Sequence, residues 1–297
     1  MIGYRISRPA LDRQIDAVSP DWRSDAADGK KPAWSKIKEV FMRAQHFKCG
    51  YCERWMPRPQ QPPDNDDSGA KSRTREYDVE HYRPKGAVRV WPNKNSPFSY
   101  AFSTGPALPG GYSWLSHDHR NYLVSCKTCN EDNKKDFFPV AGVRGDHGAS
   151  TNALQKQEKP FLLHPFGTVD DPPERLIAFE GYKAVPVATQ GYRHQRARVT
   201  IDFFGLNLRD DLILQRCALI LLMWPYLEQR RAGTADQKQV AREEISDFLS
   251  PAFNHANCAR SYEKVYQNDR QLARKYYEEA RLRTRDIAAL IGGGSGG

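Results

Sequence analysis

Apolar positions recur at helical spacing in four stretches of this chain. In Ala33–Phe47, the residues Ile37, Val40, Phe41 and Ala44 fall on one face, with Pro32 just ahead as an N-terminal residue, so the spacing predicts a helix. A second helical stretch covers Leu206–Arg231 through Leu208, Leu212, Leu219, Leu222 and Met223. Pro225 lacks a backbone N–H and is expected to kink or end its first part. Val240–Leu249 continues the pattern. Tyr262–Ile291 then reads as one long amphipathic helix with Leu272, Tyr276, Ala280 and Ile287. Its aromatic residues Tyr262, Tyr266, Tyr276 and Tyr277 suit either internal packing, the simpler reading, or an interface.

Shorter apolar runs lie between. LIAFEGYKAVPVA predicts a hairpin turning near Gly181 and Tyr182, and YDVEHYRPKGAV an extended run interrupted by Pro84. Asn121–Ser125 fits a short strand or a helix start, and Asn130–Asp136 a polar helix. The Pro-, Asp- and Ser-rich stretch 57–75 reads as an exposed insertion, and 91–113 as a long loop. The expected organisation is an arm and lead-in helix (1–45), a motif-bearing domain (46–140), a connecting region (141–200) and a helical domain (201–291). The tail 292–297, GGGSGG, resembles an appended flexible linker and is set aside. The class expected is α+β with a mainly helical C-terminal domain.

The run MIGYRISRPALDRQIDAV has charges throughout and no apolar core for a secretory signal. The most apolar run, Leu219–Trp224, is far shorter than the roughly 20 residues that span a bilayer. A cytoplasmic protein with no membrane partner is the expectation. A hydrophobic content of 39% over 297 residues supports a sizeable core and argues against disorder. Lys plus Arg exceeds Asp plus Glu by 45 to 36, and a formal charge of +9 suits a polyanionic partner.

The cysteines sharpen this. Six are too sparse for a disulfide scaffold, but four fall as Cys49-x-x-Cys52 and Cys126-x-x-Cys129. Two such pairs suit a tetrahedral four-thiolate structural Zn²⁺ site. The alternatives are two redox-active pairs, which lack a strand-to-helix context here, or two unrelated surface pairs. A metal would close the 73 residues between the pairs, removing several kcal/mol of unfolded-state entropy by analogy with a disulfide. Cys217, in an apolar helical run, reads as a packed thiol, and Cys258 as structural or incidental.

Within this frame stand Glu80-His81, then Asn121, then Asn130. Each alone is unremarkable; their order between two Cys pairs carries the weight. The stretches CGYC, VEHYRPK and NYLVSCKTCN-x-x-NKK resemble the HNH nucleases, whose core is a zinc-stabilised ββα-metal fold. This resemblance covers about 46–139. A nearer one, to the HNH subunit of bacterial Septu-type and retron-associated antiphage systems, runs on through Phe138-Pro139, FLLHP and FFGLN to about 215.

The resemblance implies a metal-dependent endonuclease hydrolysing nucleic-acid phosphodiesters, DNA ahead of RNA such as tRNA. His81 would be the general base. Glu80, usually Asp in the broader family, and Asn130 would hold a catalytic divalent ion, Mg²⁺ or Mn²⁺. Asn121 would fix the loop carrying the histidine. A neutral imidazole accepts a proton near pH 7, and a hard ion on oxygen donors leaves positions for phosphate and water.

Asp78, two residues before Glu80 in an extended strand, either shares the ion or braces the turn. Asn133 would replace Asn130 if the helix began one turn later. Arg83, Lys85, Lys134 and Lys135 suit phosphate contacts or a solvated basic face. His117 and His119 suggest a second metal site or support for Asn121, and His164 a structural role. The nearer family also implies a separate ABC- or SMC-like ATPase subunit, since this chain has no G-x-x-x-x-G-K-[ST] loop. The competing reading is a catalytically inactive, zinc-stabilised nucleic-acid-binding or assembly module.

Overall fold

A computed structural model describes residues 1–27, 34–56, 77–167 and 169–292. The expected insertion at 57–75, Pro32 and most of the Gly/Ser tail lie outside the described residues. The chain divides into two compact units: Gly3–Tyr51 with Trp55–Pro172, and Pro173–Gly297 with Met1–Ile2 and Cys52–Arg54.

In the first unit, α1 (Arg8–Val18) starts at Ser7, whose hydroxyl accepts from the Ala10 amide, and buries Leu11 and Ile15 one turn apart. A short α2 (Trp22–Ala27) follows. Helix α3 (Trp34–Ala44) buries Ile37, Val40, Phe41 and Met42, the face the spacing predicts. It stops at Ala44 rather than Phe47, because His46 (φ 52°) and Phe47 (φ 56°) are left-handed and turn the chain away.

Strands β1 (Tyr77–His81) and β2 (Tyr122–Cys126) pair antiparallel, with Tyr77 opposite Cys126 and His81 opposite Tyr122. Asn121–Ser125 is therefore mostly strand, and every residue of β2 is buried. A π-helical turn, Thr128–Lys134, follows at once. Between the strands the chain is irregular, with 3₁₀ turns at Ser113–Leu115 and His119–Asn121. At Gly111 (φ +55°) a Cβ would lie 1.7 Å from the Gly86 carbonyl oxygen, so only glycine lets these loops meet. Helix α4 (Thr151–Glu158), capped by Ser150, closes the unit.

The second unit opens with the hairpin β3 (Ile177–Glu180) and β4 (Lys183–Pro186), turning through Gly181 (φ +57°) and Tyr182. Helices α5 (Gly191–Phe203), α6 (Asp210–Ala232), α7 (Ala235–Leu249), α8 (Ala256–Asn268) and α9 (Arg270–Gly292) follow. Two expectations are corrected. Helix α6 runs unbroken through Pro225, because Leu219, Met223 and Leu227 bury one stripe on both sides of it. The long C-terminal helix is two: Asp269 is extended, caps α8 through its N–H to Val265 O (2.7 Å), and its carboxylate accepts from Leu272 N (2.9 Å).

The aromatic residues of this region pack internally. Tyr262 Oη donates to Ala273 O (3.1 Å), and Trp224 stacks on Tyr277 with centroids 5.3 Å apart. Among the described residues no helix is long and apolar enough to cross a membrane.

Candidate metal centre and active site

Cys49 and Cys52 sit on the turn that follows α3, and Cys126 and Cys129 at the end of β2 and the start of the π-helical turn. The four Sγ atoms lie within 4.8 Å of one another, and all four residues are buried. A tetrahedral ion with Zn–S bonds of about 2.3 Å holds its sulfurs about 3.8 Å apart, which this cluster accommodates. The Cys126 amide also donates to Cys49 Sγ at 3.3 Å, a bond that favours thiolate. The cluster can thus coordinate a structural metal ion.

Gln45, just past α3, clamps this turn to β2. Its Nε2 donates to Lys48 O (2.9 Å) and Val124 O (2.7 Å), and its Oε1 accepts from Val124 N (2.7 Å). Gly50 N also donates to Val124 O (3.0 Å), and a Cβ on Gly50 would lie 2.9 Å from Leu123 Cδ1. The sequence gives no hint of Gln45, whose partner is 79 residues away.

The register places the cysteines at one end of the sheet and His81 at the other. The His81 ring meets Tyr122 and Trp34 edge-on, at 5.0 and 5.2 Å, and its imidazole hydrogen-bonds the Ser116 carbonyl. Its Nε2 is buried without a hydrogen-bond partner. Burial, then the charges of Lys85 and Lys134, push the imidazole down to about 3, so it is neutral near pH 7. Asn121, fully buried, accepts from Arg83 N (2.8 Å) and donates to Arg83 O (2.9 Å), while Tyr82 N donates to its carbonyl (2.8 Å). Those bonds hold the backbone immediately after His81.

Glu80 is nearly buried, and Lys134 Nζ lies 3.4 Å from its Oε1 and 3.5 Å from the His81 carbonyl. Burial pushes the Glu80 carboxyl up to about 7, with Lys134 opposing and Asp78 reinforcing the shift. Asp78 is half-exposed and bonded to Lys127. Asn130 and Asn133 ride on the turn between Cys129 and Lys134, and Asn133 Nδ2 is buried with no partner.

The four basic residues separate. Arg83 has no exposed surface: its Nε bonds Glu158 (2.8 Å), and Tyr112 and Phe138 flank it. Lys134 is equally buried, on Glu80. Both depart from the expected phosphate-facing positions, because buried carboxylates claim them. Lys85 and Lys135 are exposed, and Lys85 Nζ lies 3.8 Å from the Trp34 ring centre.

His119 Nε2 pairs with Asp12 (2.6 Å), and His117 packs on Trp22. Neither joins a metal-ligating group, since the cysteine quartet is the only cluster of three or more His, Cys, Asp or Glu donors found among the described residues. His164 is buried edge-on to Tyr82 (4.8 Å), and its Nδ1 accepts from Phe166 N (3.2 Å).

No family model matches the chain, and no solved structure matches it. A curated relative, the Septu protein PtuB of Bacillus mycoides (strain KBAB4), is 27% identical over 229 residues, covering 72% of this chain. The matched span is 65% of that relative's own length.

Proposed function

We propose that the protein is a zinc-stabilised, nucleic-acid-handling component of a Septu-type antiphage system, and that it hydrolyses phosphodiester bonds through an HNH-like centre at His81. The metal-stabilised nucleic-acid module draws on the buried cysteine quartet, the +9 charge and the likeness to a Septu protein. Hydrolysis rests on one further observation: the imidazole of His81 presents a buried, unpartnered Nε2 beside a loop braced by Asn121.

In this reading His81 Nε2 takes a proton from a water that attacks phosphorus, and the 3′ oxygen leaves with a proton from solvent. Lys85 and Lys135, the exposed cations of the set, contact flanking phosphates. A divalent ion, Mg²⁺ or Mn²⁺, would supply charge neutralisation at the phosphate. The donors fit such an ion: burial disfavours the charged form of Glu80 even with Lys134 beside it, and a further cation would stabilise that form. The orphaned Asn133 amide, with Asn130, offers oxygen once its amide is turned. Asp78 stays with Lys127. An ABC- or SMC-like ATPase chain would supply nucleotide-driven control.

The second reading, a binding or assembly module without hydrolysis, draws on a specific contact. Lys134 already occupies the carboxylate of Glu80, and Lys127 that of Asp78, so neither acid needs an ion to be neutralised.

Purified protein with plasmid, single-stranded DNA and tRNA-rich RNA separates the two. Cleavage with Mg²⁺ or Mn²⁺, abolished by EDTA and lost by at least a hundredfold in His81→Ala, is the expected outcome. His81→Ala cutting at the wild-type rate would overturn the base assignment. Retention of nucleic acid in gel shifts with no cleavage, with or without the ATPase chain, selects the module. Metal analysis should find about one zinc per chain, lost in Cys129→Ser.

A further inference from the structure

A cleft of about 600 Å³ walled by Trp22, with the Tyr122 ring between it and His81, is left unused by the chemistry above and falls within the usual range of small-ligand sites. We propose that it binds a single unpaired nucleobase of the nucleic-acid strand, next to the phosphate that His81 addresses. The inference rests on the nucleic-acid reading above and adds the form of the substrate: the base is unstacked from its neighbours.

Position comes first. One wall is Trp22, which is buried, donates from Nε1 to His117 O (3.1 Å) and meets Tyr122 edge-on at 6.0 Å. Tyr122 in turn meets His81 at 5.0 Å, and the Ser116 carbonyl accepts from both the Tyr122 hydroxyl and the His81 ring. The cleft and the proposed base therefore share one ring and one carbonyl.

The surface chemistry suits a base. Trp114 is half-buried and fixed by its indole N–H to Ala149 O (3.0 Å), with His147 packed at 4.5 Å. Indoles held in one orientation are stacking platforms that lose little freedom on binding. The titratable lining sets three carboxylates, Asp12, Asp16 and Asp118, against Arg120 and two histidines. Asp118 holds Arg120 through two bonds of 2.8 Å and Asp12 holds His119, so the cations are already claimed. Burial works to raise the Asp118 carboxyl, but bonds from Arg120 and Thr151 outweigh it and keep the group ionised. Carboxylates repel phosphate yet accept from exocyclic amino and ring imino groups, which guanine, adenine and cytosine offer more fully than uracil. Phosphate contact then falls to Lys85 and Lys135, outside the cleft.

Calorimetry and tryptophan fluorescence on the full chain test this with guanosine, adenosine, cytidine and uridine, and with ribose 5-phosphate and spermidine as controls. The amino-bearing nucleosides should bind, uridine more weakly and ribose 5-phosphate not at all. Trp114→Leu should weaken binding about tenfold. Asp16→Asn, a smaller change, should weaken guanosine, adenosine and cytidine more than uridine; it covers the case in which Trp114→Leu fails to fold. Ribose 5-phosphate binding as well as the nucleosides, or spermidine alone binding, overturns the proposal. Nucleoside binding without cleavage of any nucleic acid supports the pocket and removes the nuclease reading. Cleavage indifferent to Trp114→Leu, with no nucleoside bound, does the reverse.

Discussion

At the scale of single residues, Arg83 shows how little a sequence position says about charge. It follows Glu80-His81 in a basic run, yet its guanidinium is fully buried and bonds Glu158, whose second oxygen accepts from Tyr112 Oη (2.6 Å) and Gly145 N (3.1 Å). Removing one member of such a pair strands the other's charge in a dry site. Arg83→Met should therefore lose about 3–5 kcal/mol in urea denaturation. A loss under about 1 kcal/mol would mean that water already reaches Glu158. The cysteine quartet was legible because ligand spacing is a local signal, and Asn121 because the resemblance supplied its place. Arg83, Gln45 and Lys134 were not, since each is explained by a partner at least 53 residues away that no local pattern names.

At the scale of elements, helix existence was readable and helix ends were not. The face Ile37–Val40–Phe41 and the hairpin at Gly181 follow from periodicity and turn chemistry. Helix α7 begins five residues before the apolar signal, at a capping box in which Thr234 and Gln237 bond each other's backbone. That signal was local and lies in the sequence as T-x-x-Q. The break at Asp269 matters for packing, because it lets α8 and α9 both reach Glu228 on α6. There Arg270 bonds both carboxylate oxygens and Tyr266 Oη donates at 2.7 Å. The Arg270 bond first, and that of Tyr266, hold the Glu228 carboxyl down to about 2. A carboxyl depressed in the folded state contributes stability above its unfolded value near 4.5, and loses it as pH falls towards 2. Glu228→Gln should thus destabilise the chain at pH 7 by about 1 kcal/mol after solvent screening. The gap between wild type and variant should close between pH 4.5 and 2 in thermal melts. A gap independent of pH would assign the effect to packing.

At the scale of the molecule, the +9 charge becomes informative only once its buried part is set aside. Of the four cations around His81, Arg83 and Lys134 neutralise interior carboxylates, whereas Lys85 and Lys135 face solvent. Only the exposed pair can release counterions from a nucleic-acid backbone, and each phosphate contact contributes about −0.9 to the slope of log K against log salt on duplex DNA. Replacing both Lys85 and Lys135 with Ala should therefore make the slope shallower by about 2 in fluorescence-anisotropy titrations, while thermal stability is little changed. Arg83→Met should do the opposite: stability falls and the slope stays as it was, measured below the variant's melting range. If the double lysine variant keeps the wild-type slope, the strand crosses another face, and the link drawn between His81, the exposed lysines and the aromatic cleft fails with it.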